Sequence, residues 1–151
     1  VKHRIFLVLS MACTIVTSLS AANAVEMTPS VLSSLYGKSK AEIDAMIGPP
    51  SQKSGHPRAC TSGMIERQEI SCMYGAADVA VTYRSGIARS IQWQPLDLKR
   101  KVSSSDFRFL SGCKTWSKQE WDETFDCDNA IRLRIDYTSD GTGQVDIFGG
   151  G

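Results

Sequence analysis

The chain has 151 residues, with 17 lysines and arginines against 16 aspartates and glutamates, and 42% of it is hydrophobic. A formal charge of +1 argues against the strongly basic surface that nucleic acid or an anionic bilayer requires. The length suits one domain with its own core, and no stretch beyond the first two dozen residues nears the length that spans a bilayer.

Residues 1–24 have the pattern of a secretory signal peptide. Lys2, His3 and Arg4 form a basic start, Ile5-Phe6-Leu7-Val8-Leu9 an apolar run, and Ala22-Asn23-Ala24 an A-x-A cleavage site. Cys13 follows Ser10-Met11-Ala12, a poor lipobox because Ser stands where Leu is wanted. Cleavage after Ala24 is therefore expected, with a periplasmic or secreted product and no stable membrane insertion. It removes two cations and Cys13, leaving fifteen basic and sixteen acidic residues, a net charge of −1, and four cysteines.

The mature part, a single domain over 25–148, opens with two short helical patterns. Thr28-Pro29 is a cap followed by proline at the first helical position, and Val31, Leu32, Leu35 and Tyr36 recur at helical spacing up to Gly37. Ser39-x-x-Glu42 is a capping box before Ile43, Met46 and Ile47, and Gly48-Pro49-Pro50 ends that helix. Positions 50–64 read as a loop. Ile70, Cys72 and Tyr74 alternate in a first strand, and Val79, Val81 and Tyr83 in a second. After the turn Arg84-Ser85-Gly86, a third strand places Ile87, Arg89, Ile91 and Trp93 on one face. Positions 95–105 form a polar connection. Phe107 to Leu110 is a candidate strand reaching Cys113, and Thr124 to Cys127 another. Ile131, Leu133, Ile135 and Tyr137 alternate with Arg132, Arg134 and Asp136, a half-buried strand. A turn at 139–143 leads into a return strand with Val145 and Ile147, and 149–151 are expected to fray. Helix, helix and six or seven strands make an α+β fold with helices packed on an antiparallel sheet.

An even cysteine count in an exported chain implies disulfides. Three connectivities exist for Cys60, Cys72, Cys113 and Cys127. Pairing Cys60 with Cys72 and Cys113 with Cys127 closes two short loops and is the expected arrangement. The gaps of 11, 40 and 13 residues contain no C-x-x-C, so no zinc site or other metal is expected.

Some of these segments also resemble a known family. Gly37-Lys38-Ser39-Lys40-Ala41-Glu42-Ile43, then Gly48-Pro49, the Cys60 and Cys72 bracket, Cys72-Met73-Tyr74-Gly75-Ala76-Ala77-Asp78, Val79-Ala80-Val81-Thr82-Tyr83 and Ile91-Gln92-Trp93 are similar to one repeat of the β-lactamase inhibitor protein (BLIP) and SmpA/OmlA (BamE-like) group, over 36–93. The resemblance implies a BLIP-like part at 28–94 followed by a β-rich extension at 105–148. It also implies a concave sheet whose hairpin loops probe a partner. Asp78 matches the hairpin aspartate that enters the target in the inhibitors, with Val79 where they have an aromatic residue. No second glycine, capping box and helix follow Trp93, whereas the inhibitors carry two repeats.

The functional expectation is an exported protein-binding module, an inhibitor or an envelope assembly accessory, with an exported or cell-envelope protein as partner and no cofactor. Tyr74, Asp78, Trp93, Trp116 and Trp121 are the candidate binding residues, since aromatic side chains dominate interface energetics. The alternative is a small periplasmic hydrolase or ligand-binding protein. It would rely on His56, the sole histidine after Ala24, or on the acidic cluster Glu120, Asp122, Glu123, Asp126 and Asp128. No nucleophile motif accompanies His56. Gly37-Lys38-Ser39 lacks the upstream glycine of a phosphate loop, and 136–146 lacks the ligand pattern of a calcium loop.

Overall fold

A computed structural model describes residues 25–52, 58–94, 101–107 and 109–149. The export segment 1–24, His56 and the basic pair Lys99-Arg100 lie outside them. Helix α1, Pro29–Leu35, is capped by Thr28, whose Oγ1 accepts from the Val31 N–H at 3.2 Å. Helix α2, Lys40–Ile47, has its reciprocal box: the Ser39 N–H donates to Glu42 Oε2 at 2.8 Å, and the Glu42 N–H to Ser39 Oγ at 3.3 Å. Each box bond satisfies a backbone donor that the first helical turn leaves without an intrahelical acceptor. Hydrogen bonding to Ser39 holds the Glu42 carboxyl below its ordinary range.

Eight strands follow: β1 Cys60–Ser62, β2 Glu69–Tyr74, β3 Val79–Arg84, β4 Ile87–Trp93, β5 Lys114–Lys118, β6 Asp122–Asp126, β7 Ile131–Thr138 and β8 Gly141–Gly149. They form one sheet in the order β1-β2-β3-β4-β8-β7-β6-β5, every neighbouring pair antiparallel. The order is a palindrome. Two four-stranded meanders meet at β4 and β8, and each carries a disulfide across its outer hairpin, Cys60–Cys72 and Cys113–Cys127.

One face of the sheet carries the core. Cys72, Tyr74, Val79, Val81, Tyr83, Ala88, Ile91, Trp93, Leu133, Ile135, Val145 and Ile147 are buried there with Leu32 and Leu35 of α1 and Ile43 and Ile47 of α2. Each large aliphatic side chain so buried stabilises by about 1.5–3 kcal/mol. The helices are tied down where β4 runs past the end of β8. There the Gly37 N–H donates to Ala88 O at 3.0 Å and the Ala88 N–H to Lys38 O at 2.8 Å. The core of the second half includes buried Val102 and Phe107, from the segment that leads into β5. That segment holds a 3-10 turn, Ser104–Asp106, with its own box from Ser103 to Asp106. A capped turn thus follows Trp93 where the sequence shows no second capped helix.

Five local expectations are corrected. Positions 50–64 contain β1, which pairs Cys60 with Cys72. The strand expected from Phe107 comes later, as β5; before it the Leu110 N–H donates to Phe107 O at 2.9 Å. Arg89 is exposed because a bulge pairs Thr82 with Ser90 and Tyr83 with Ala88, skipping it and turning Ala88 inward. The last hairpin turns at Ser139-Asp140, so Gly141 already belongs to β8. Gly149 is paired with Ile131, and the Tyr36 hydroxyl occupies the space a Cβ would need.

Candidate binding face

Strand alternation sends every second residue to the face opposite the core. Across the sheet that face runs Thr61, Ser71, Thr82, Ser90, Phe148, Arg132, Asp126 and Lys114 in one row. A second row runs Met73, Ala80, Gln92, Asp146, Arg134, Thr124 and Ser117. The first row is polar in the first half, the second begins with Met73 and Ala80, and both carry charges in the second half. Among the described residues, both helices pack on the other side.

Arg134 sits among carboxylates, with Nε 2.9 Å from Asp136 and Nη2 4.0 Å from Asp122. Asp146 lies beside it in the row. Burial raises the Asp146 carboxyl above its ordinary value; Asp136 adds to the rise, while Gln144, Arg134 and Gln92 oppose it. Toward the β5 edge, Arg132 donates through Nε to Asp126 Oδ1 at 2.8 Å and lies over the Trp116 ring, 4.9 Å from its centroid. Cation–π stacking of this kind contributes about 0.5–1 kcal/mol at an exposed site. Trp116 reaches this position because β5 bulges there, pairing Thr115 with Phe125 and Ser117 with Thr124 and leaving Trp116 between them. A cleft of about 520 Å³ adjoins the group, lined by Asp126, Cys127, Ala130, Ile131, Arg132, Phe148 and Gly149.

The candidate residues fall into two sets. Trp116 and Trp121 are exposed, at 62% and 51%. Asp78 closes the β2–β3 hairpin in the left-handed region, φ 53°. Tyr74 and Trp93, however, belong to the core, 1% and 4% exposed, and offer nothing to a partner. The Tyr74 hydroxyl donates to Asp44 Oδ1 at 2.8 Å and meets the Tyr83 hydroxyl at 2.6 Å, while Lys40 of α2 holds the other Asp44 oxygen at 2.5 Å. This chain of polar groups pins α2 to β2 and β3. Burial raises both phenols above their ordinary range, Tyr74 the more strongly because its hydroxyl also meets Tyr83 and Asp44.

Asp78 and Trp121 lie at the same end of the strands but about five strand spacings apart, roughly 24 Å. The acidic cluster is dispersed rather than convergent. Asp122 faces Arg134, Glu123 pairs with Lys118 and accepts from the Tyr137 hydroxyl, Asp126 holds Arg132, and Asp128 accepts from Ser111 Oγ. No group of three or more His, Cys, Asp or Glu among the described residues is placed to hold a metal. Arg132, Arg134, Asp146 and Phe148 were not singled out from the sequence. Their signal was the alternation itself, which sends them to the face that Ile131, Leu133, Val145 and Ile147 leave.

No protein-family model, curated protein or solved structure matches this chain.

Proposed function

We propose that this chain is an exported protein-binding module that engages an envelope or secreted protein through the uncovered face of its sheet. The observation that carries the reading is the one-sided packing: the described helices cover one face, and the other presents Trp116, Arg132 and Phe148 beside a shallow cleft. Tryptophan and arginine are the residue types that most often carry interface energy. Two disulfides suit an oxidising compartment, as the 1–24 export pattern requires. On this reading Asp78 and Trp121 flank the face at one end, and the partner is a folded protein that meets a broad surface.

Site-specific photocrosslinking tests the proposal. A crosslinking residue at Arg134, in the middle of the open face, is expected to capture a discrete partner in the cell envelope, while one at Glu42, on the exposed side of α2, captures none. Capture from Glu42 alone would place the contact on the helices and sink the reading. Trp116→Ala is expected to weaken capture from Arg134 by about tenfold, the loss of one hot-spot side chain.

A further inference from the structure

The loop of the β1–β2 hairpin exposes two large apolar side chains, Met64 at 60% and Ile65 at 89%. The loop is well ordered by its bonds. The Gly63 N–H donates to Glu69 O at 2.9 Å, and a 3-10 turn over Ile65–Arg67 ends at Gln68 in the left-handed region. The Ser85 N–H of the next hairpin braces it by donating to Gln68 O at 3.3 Å. At its base Cys60 and Cys72 are bonded across the pair. A stapled, braced finger presents Met64 and Ile65 with little ordering left to do on binding, which lowers the entropic cost of a contact. Glu66 and Arg67 stand beside them.

The same end of the strands holds a receptor of matching character. Antiparallel order places the turn at 128–130, and with it the cleft, at the end where the finger projects. The cleft floor is apolar, formed by Ala130, Ile131 and Phe148, and its rim carries Asp126 and Arg132. An apolar tip flanked by Glu66 and Arg67 thus complements an apolar cleft flanked by Arg132 and Asp126. The two cannot meet in one molecule, because they lie about five strand spacings apart, roughly 24 Å.

We propose that the finger of one copy enters the cleft of a second copy. Rotation by half a turn about an axis normal to the sheet brings the two finger-bearing ends together, with β1 and β2 of each copy opposite β6 and β7 of the other. Both finger–cleft contacts then form at once, which is the closed, isologous arrangement of a two-fold dimer. The contact takes up Arg132 and Phe148 and stays clear of the far end of the strands, where Trp121 and Asp78 lie.

Sedimentation of the oxidised protein, as processed by the expressing cell, tests this. The expected result is a concentration-dependent dimer. Ile65→Asp and Ala130→Arg, each at a surface position, are each expected to raise the dimer dissociation constant at least about tenfold, with an unchanged circular dichroism spectrum and unfolding midpoint. Glu66→Arg should weaken the dimer, and Glu66→Arg with Arg132→Glu should restore part of it. A wild type that stays monomeric at millimolar concentration overturns the proposal, and so does a dimer that Ile65→Asp leaves intact. Failure here leaves the photocrosslinking outcome at Arg134 untouched, so the two readings fall separately.

Discussion

At the residue scale, Asp146 shows how the open face strains against its own charge. Its carboxyl is raised chiefly by burial, so the folded state holds the proton more tightly than the unfolded chain does. Linkage fixes the sign. Below the ordinary carboxylate range the group contributes its full stability, and that contribution is lost as pH rises from there through the raised value. Asp146→Asn, uncharged at every pH and able to keep the glutamine contacts, is expected to unfold at a higher denaturant concentration than wild type at pH 7. The gap should close near pH 3, where the wild-type carboxyl is protonated too. A variant less stable than wild type at pH 7 would mean that attraction to Arg134 outweighs the burial cost. The misassigned residues belong to this scale as well. Tyr74 lies two positions after Cys72 and Trp93 two after Ile91, so each shares the face of a buried neighbour. Aromatic character suggested an interface, but period-two alternation is the stronger indicator and points both inward.

At the element scale, α2 is held by a helix-to-sheet hydrogen-bond chain as well as by buried Ile43 and Ile47. Tyr74 is its middle link, with two partners, and Tyr83 its end, with one. Removing the middle hydroxyl leaves both Asp44 and Tyr83 short of a partner. Tyr74→Phe is therefore expected to cost about 1–3 kcal/mol, measured by urea unfolding, and more than Tyr83→Phe. Equal losses in the two variants would show that the chain does not act through Tyr74. Both helices were legible because capping chemistry is local: Thr28-Pro29, Ser39 with Glu42, and Gly48 announce their ends within a few residues. β7 was legible from its four alternating apolar residues. β1 and β5 were not. Cys60-Thr61-Ser62 is too short and polar to show a period, and Lys114 to Lys118 is an edge strand with a bulge, so it buries almost nothing for a pattern to record. Such short, lysine-bearing, bulged edges discourage pairing with foreign strands, and the same properties hide them in a sequence.

At the scale of the whole molecule, the disulfide pairing and the α+β class were both readable from the residues, since cysteine spacing and the succession of periods survive without tertiary detail. The palindromic order was not. Joining β4 to β8 rather than to β5 depends on the long connection after Trp93 and on which apolar faces combine, information spread over the chain. Hydrogen exchange provides a check on how the halves cooperate. The β4–β8 ladder joins only four residue pairs, from Ser90–Phe148 to Trp93–Val145, whereas β7 and β8 share eight. Amides of the β7–β8 ladder are expected to exchange more slowly than those that cross between β4 and β8; the reverse order would show that the halves open internally before they part.

The placement of the two disulfides bears on how this protein comes apart. An open sheet ordinarily peels from its margins, where a strand has one neighbour instead of two. Here both margins are riveted, Cys60 to Cys72 on one side and Cys113 to Cys127 on the other. The least fastened line is then the seam through the middle, so rupture would separate two cross-linked leaves rather than shed strands one by one. New strand edges, beyond the short margins β1 and β5, would then appear at β4 and β8, with the shared core opening alongside them.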